Sequence, residues 1–163
     1  MGKHPVSIDH THEEIHEGNQ YSFDEVITLA SAATQDYFLQ TPDTNKVIHF
    51  GYAVEGIFGI TLELFEATDK AGTSAQTPIN RNRNSTNTAG LIVKKGTSGG
   101  TTDGAKIGWK KSGSGTAQGR LAGQAGSGLE RVLKQNTKYI FRVTSAANSN
   151  DVSVQLDWYE ART

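Results

Sequence analysis

Cysteine is absent from this chain. Its absence excludes disulfides and thiolate zinc sites, and it leaves the redox compartment open, since a chain without thiols folds equally well in either. An excess of one charge is missing too. Sixteen basic residues face 17 acidic ones, a net charge of -1, so the whole-molecule field cannot by itself gather nucleic acid or an anionic membrane. No apolar run approaches the ~20 residues that span a bilayer, and residues 1–20 hold no apolar core of a signal peptide. The expectation is a soluble protein, not exported by that route, with neither nucleic acid nor membrane as partner. Val6 stands where a myristoylation motif wants Ser or Thr, and Asn84-Ser85-Thr86 is a glycosylation match short enough to arise by chance. Phosphate-cradling glycine frames are missing in any strand-to-helix setting, and Lys110-Lys111-Ser112 lacks the glycines that would precede it. Without thiols, stability has to come from packing or assembly.

What is present points to β structure. Hydrophobic residues make up 35% of the chain, glycine numbers 18, and there are six Phe, five Tyr and two Trp, a profile suited to aromatic and β-branched strands joined by many turns. A chain of 163 residues fits one domain and buries roughly 68–70% of its unfolded surface on folding. Its character breaks near Asn19. A polar, histidine-bearing segment, residues 1–18, reads as an extended N-terminal arm, and residues 19–163 read as one β domain.

Period-two alternation marks the strands. Val152, Val154, Leu156 and Trp158 alternate with Ser153, Gln155, Asp157 and Tyr159, and residues 138–144 alternate just before them. The small, Asn-rich link 145–151 predicts that the two form an antiparallel hairpin. Residues 46–54 and 60–66 are two further β runs, with turns at 41–45 and 67–72. Strands are also expected at 21–29, 37–40, 90–95, 106–110 and 78–82. Many short strands with frequent turns in one domain predict an all-β, single-domain β-sandwich or jelly roll.

Eleven of the 18 glycines fall within residues 96–128, which predicts Gly-rich surface loops, read either as a partner contact or as a flexible connection. Four of the five histidines, His4, His10, His12 and His16, lie in the arm beside Asp9, Glu13 and Glu14. On a helix His12 and His16 would share a face, and His12-Glu13-Glu14-Ile15-His16 matches the HExxH spacing of zinc proteases, with Glu13 as the would-be base. Against this stand its place at the chain's start, the lack of a surrounding apolar helix and the want of a third ligand. The expectation is therefore no metal, no cofactor and no enzyme activity. The arm reads instead as a segment that orders against a neighbour, with Val6, Ile8 and Ile15 as apolar anchors and imidazoles, His10 and His12 among them, that sense pH at the contact.

In Asn80-Arg81-Asn82-Arg83-Asn84 the spacing predicts a strand with Arg81 and Arg83 on one face, fit to bind carboxylates, a glycan or phosphates, or simply a polar edge strand. Trp109 and Trp158 read as sugar-stacking platforms or as core.

Residues 46–52, 65–70, 80–84, 97–104 and 156–160, here KVIHFGY, FEATDK, NRNRN, TSGGTTDG and LDWYE, resemble small virion proteins of tailed bacteriophages, in particular the capsid decoration or cement proteins. The likeness runs from Ile8 to Glu160. It implies a β-sandwich or jelly-roll protein, made in the host cytoplasm, that binds the phage major capsid protein on the outer surface of the virion. It also implies a homo-oligomer, a trimer in preference to a dimer, that braces the expanded head. No functional residue is carried over from the likeness; capsid or subunit contacts are expected from the arm and the Asn-Arg run themselves, at Val6, Ile8, His10, His12, Ile15, Arg81 and Arg83. A carbohydrate- or host-surface-binding module on a virion is the alternative.

Overall fold

The computed structural model describes residues 10–123 and 130–162. A short helix, α1 (His10–Glu17), leads into β1 (Gln20–Leu29), β2 (Thr34–Gln40), β3 (Lys46–Gly56), β4 (Ile60–Glu66), β5 (Ala71–Ala75) and β6 (Ile79–Asn80). There follow β7 (Ile92–Ser98), β8 (Ala105–Ser112), β9 (Gly119–Gly123), β10 (Arg131–Leu133), β11 (Lys138–Ser145) and β12 (Asn150–Arg162). The strands form two antiparallel sheets. One runs β10-β3-β12-β1-β6, with β9 also on β3, and the other runs β5-β7-β2-β11-β4-β8.

The two sheets pack face to face as an all-β sandwich. Alternation delivers Val152, Val154, Leu156 and Trp158 of β12 into one core with Ile48, Phe50 and Val54 of β3 and Tyr139, Phe141 and Val143 of β11. Each fully buried side chain of this kind contributes about 1.5–3 kcal/mol. The order of strands does not establish a jelly roll.

The expected hairpin between 138–144 and 152–159 does not form. β11 pairs with β2 and β4, whereas β12 pairs with β1 and β3, so the link between them is an arch from one sheet to the other. A second arch joins β3 to β4, and buried Asn150 stitches the two together. Its Oδ1 accepts from the Phe58 amide at 2.9 Å, and its Nδ2 donates to the Gly59 carbonyl at 3.2 Å and to Ser145 Oγ at 3.0 Å. With these partners in place the crossing satisfies backbone groups that a hairpin would have paired.

Two connections stay within one sheet and cross its outer face. Residues 67–70 carry the chain from β4 to β5, and residues 99–104 carry it back from β7 to β8. Asp69 ties them by accepting from the Thr101 and Thr102 amides at 2.9 and 3.0 Å. Arg142, on the outer face of β11, reaches Asp103 at 2.8 Å, and Lys70 reaches it at 2.5 Å. Gly104 sits at φ 94°, and a Cβ there would meet the Glu66 carbonyl at 2.1 Å. The first part of the glycine-rich region is therefore a built crossing and not a loose linker. Beside it Phe38, Ile140 and Phe65 lie in register on the outer face and are buried.

Candidate functional site

The arm is not extended over residues 10–17. They form α1, which sets Thr11, Glu14, Ile15 and Gly18 toward the sheet and His12, Glu13, His16 and Glu17 toward solvent, the i, i+3, i+4, i+7 spacing of a docked helix. The helix ends in a Schellman motif, in which the Gly18 amide reaches the Ile15 carbonyl at 3.0 Å and the Asn19 amide reaches the Glu14 carbonyl at 2.9 Å. Gly18 is at φ 74°, a conformation that glycine adopts without a Cβ penalty. The Glu14 carboxylate accepts from Asn19 Nδ2 at 3.0 Å.

The last carbonyls of a helix need partners beyond the helix itself, and here they come from residues 80–87. Asn82 Nδ2 donates to the His16 carbonyl at 2.9 Å, Asn87 Nδ2 donates to that of Glu17 at 3.3 Å, and Asn80 Nδ2 donates to that of Gly18 at 2.9 Å. Each of these asparagines is placed by local bonding. The Asn82 amide donates to Asn80 Oδ1, the Asn84 amide to Asn82 Oδ1, and the Asn87 amide to Ser85 Oγ, a run of Asx- and Ser-type turns.

These turns correct the strand expected at 78–82. It stops at Asn80 because the asparagine side chains capture the following amides, so Arg81 and Arg83 do not share a strand face. Arg81 pairs with Asp157 at 3.3 Å, and Arg83 donates a long bond, 3.5 Å, to the Asn80 carbonyl. Burial pushes the Asp157 carboxyl up, with Arg81 opposing and Asp24 adding to the rise.

Between α1, residues 86–88 and the end of β12 opens a polar cleft of about 970 Å³, lined among others by His10, Glu14, Glu17, Asn19, Lys46 and Glu160. Glu160 is buried and held on all sides. It accepts from the Gly90 and Leu91 amides at 2.7 and 3.1 Å, from Trp158 Nε1 at 3.3 Å and from Lys46 at 3.2 Å. Tyr21 donates to the Gly18 and Thr88 carbonyls behind the cleft, and burial first, then Glu160, pushes its hydroxyl up to about 12. At the other end of α1, His10 meets Tyr159 edge-on at 5.5 Å, and His49 stacks on the same ring at 4.3 Å while contacting Glu130 at 3.1 Å.

The candidate residues chosen in two separate stretches thus fall in one region: His10, His12 and Ile15 on α1, and Arg81 and Arg83 on the turn that holds its end. Val6 and Ile8 lie outside the described residues. Sequence reasoning missed the clamp of Asn80, Asn82 and Asn87, although asparagine at every second position is the signature of successive Asx turns. It also missed Glu160, whose partners other than Trp158 lie about 70 and 114 residues away and leave no local trace. Among the described residues no group of three His, Cys, Asp or Glu converges to hold a metal ion, so the HExxH match has no third ligand among them. Comparison with known protein families, curated proteins and solved structures finds no match.

Proposed function

We propose that this chain is a non-enzymatic virion structural protein that binds the outer surface of a tailed-phage capsid as a symmetric oligomer, a trimer in preference to a dimer, and stabilises the expanded head. The observation that carries the reading is where the phage-like segments fall. Residues 65–70 and 97–104 build the two paired crossings, 80–84 build the clamp on α1, and 46–52 and 156–160 are the paired strands β3 and β12. The likeness therefore lies in what makes a rigid body with a docked helix on one side. On a shell that repeats one site many times, a small protein with modest affinity per contact gains from its own symmetry. In this reading α1, the polar cleft and the Arg81–Arg83 turn form the contact surface.

One observation favours the glycan-binding alternative. Trp109 is 61% exposed on the edge strand β8, whereas Trp158 is fully buried. An exposed indole beside Lys110 and Lys111 is the kind of platform on which a sugar stacks.

The experiment is the solution mass of the untagged protein by light scattering, with and without chelator. A stable species of about three times 17.6 kDa, indifferent to chelator, supports the proposal, with a two-fold species as its dimeric form. A monomer moves the weight to the glycan-binding module.

A further inference from the structure

We propose that His12 and His16 form a two-imidazole chelate for a late first-row divalent ion, copper(II) or nickel(II) before zinc. This goes beyond the capsid reading and does not depend on it. The two residues are four apart on α1, both exposed, and their Nε2 atoms stand 3.0 Å apart, with ring centroids at 4.6 Å and planes at 77°. Two metal–nitrogen bonds of about 2.0–2.1 Å put the nitrogens about 2.9 Å apart at a right angle and about 3.4 Å apart at a tetrahedral one. The observed spacing fits the tetragonal geometry of copper and nickel nitrogen sites.

Two neutral imidazole nitrogens at this distance cannot both carry hydrogens, so at least one lone pair already points at its neighbour. An ion takes the place of the hydrogen between them, which moves to Nδ1 of its own ring so that both Nε2 lone pairs face the metal. The clamp on the end of α1 matters here. Because Asn82 holds the His16 carbonyl and Gly18 closes the last turn, the second histidine sits on a turn that does not have to be ordered by the ion. Among the described residues no third side chain completes the set, so the remaining positions go to water or to a donor from an adjoining surface.

The test uses the full chain and the metal alone. Titration with nickel(II) is expected to show one ion per chain, and the copper(II)-loaded protein is expected to give an electron paramagnetic resonance spectrum split by two equatorial nitrogens. Exchanging the pair His16→Glu with Glu17→His keeps the composition but turns the second imidazole by about 100° around the helix. It should weaken binding about tenfold or more, the scale on which losing even a supporting partner acts. No binding, a spectrum with one nitrogen or with more than two, or an exchange variant that binds as well as the parent would overturn the proposal. If the variant loses α1 by circular dichroism, the nitrogen count of the unaltered chain decides.

Discussion

Arg142 meets Asp36 through two parallel hydrogen bonds, Nε to Oδ1 at 2.6 Å and Nη2 to Oδ2 at 2.9 Å, and turns its remaining nitrogen to Asp103 at 2.8 Å. One guanidinium on the central strand of a sheet thereby fixes a neighbouring strand and a crossing that lies over both. It also sits over the Phe65 ring, 5.2 Å from its centre.

Removing that guanidinium leaves two carboxylates short of a partner in a partly buried place. Arg142→Ala is expected to cost about 2–3 kcal/mol in urea unfolding. Arg142→Lys keeps the charge but loses the planar fork, and it should recover only part of that loss. A lysine variant as stable as the parent would show that charge alone is what the crossing needs.

The acid limb of the stability curve should carry the same signature. Hydrogen bonds from Arg142 first, then Lys70, hold the Asp103 carboxyl down to about 2. A carboxyl whose folded value lies below its unfolded value of about 3.9 adds stability above that value and loses it as pH falls through the folded one. Asp157 has the opposite sign, because burial raises it, and its contribution improves as pH falls toward the unfolded value. The melting temperature is expected to drop between about pH 4 and about pH 2. Asp103→Asn should be less stable at pH 7 and flatter in that window. An unchanged acid slope in the variant would contradict the assignment.

Gly18→Ala tests whether α1 is held by its end. A Cβ there would lie 2.2 Å from Ser85 Oγ, at a φ of 74° that side chains avoid. The cost is expected to be at least about 1 kcal/mol, and it should appear as lost amide protection at residues 14–19 while the sandwich keeps its own unfolding transition. Protection lost across both sheets would mean that helix and body are one cooperative unit.

The two tryptophans should separate cleanly. Trp158→Ala is expected to cost about 3–5 kcal/mol, as for any large core side chain, and Trp109→Ala to stay within about 0.5 kcal/mol. In fluorescence, the emission that remains in Trp158→Ala should be red-shifted and easily quenched, and that in Trp109→Ala should be blue and shielded.

Strands with strong alternation were legible in the sequence: β1, β3, β4, β11 and β12 lie within a few residues of their expected places. Their partners were not. The hairpin inferred from residues 145–151 is an arch because Asn150 finds Phe58 and Gly59 across the molecule, a contact that no local rule contains. β5, β9 and β10 escaped notice because Ala71–Ala75, Gly119–Gly123 and Arg131–Leu133 are short edge segments with little apolar pattern. At the candidate site, the residue types in the arm and in the Asn-Arg run were visible. Their meeting in space was not, because it rests on asparagine side chains bonding helix carbonyls more than 60 residues away.

The most direct measurement is an electron-microscopic reconstruction of emptied, expanded tailed-phage heads after incubation with the purified chain. The account predicts saturable extra density on the outer surface at local symmetry axes, with the α1 side of the sandwich toward the shell, and heads that withstand heating better. Heads that take up no chain, or that bind it without symmetry and without added stability, would contradict it.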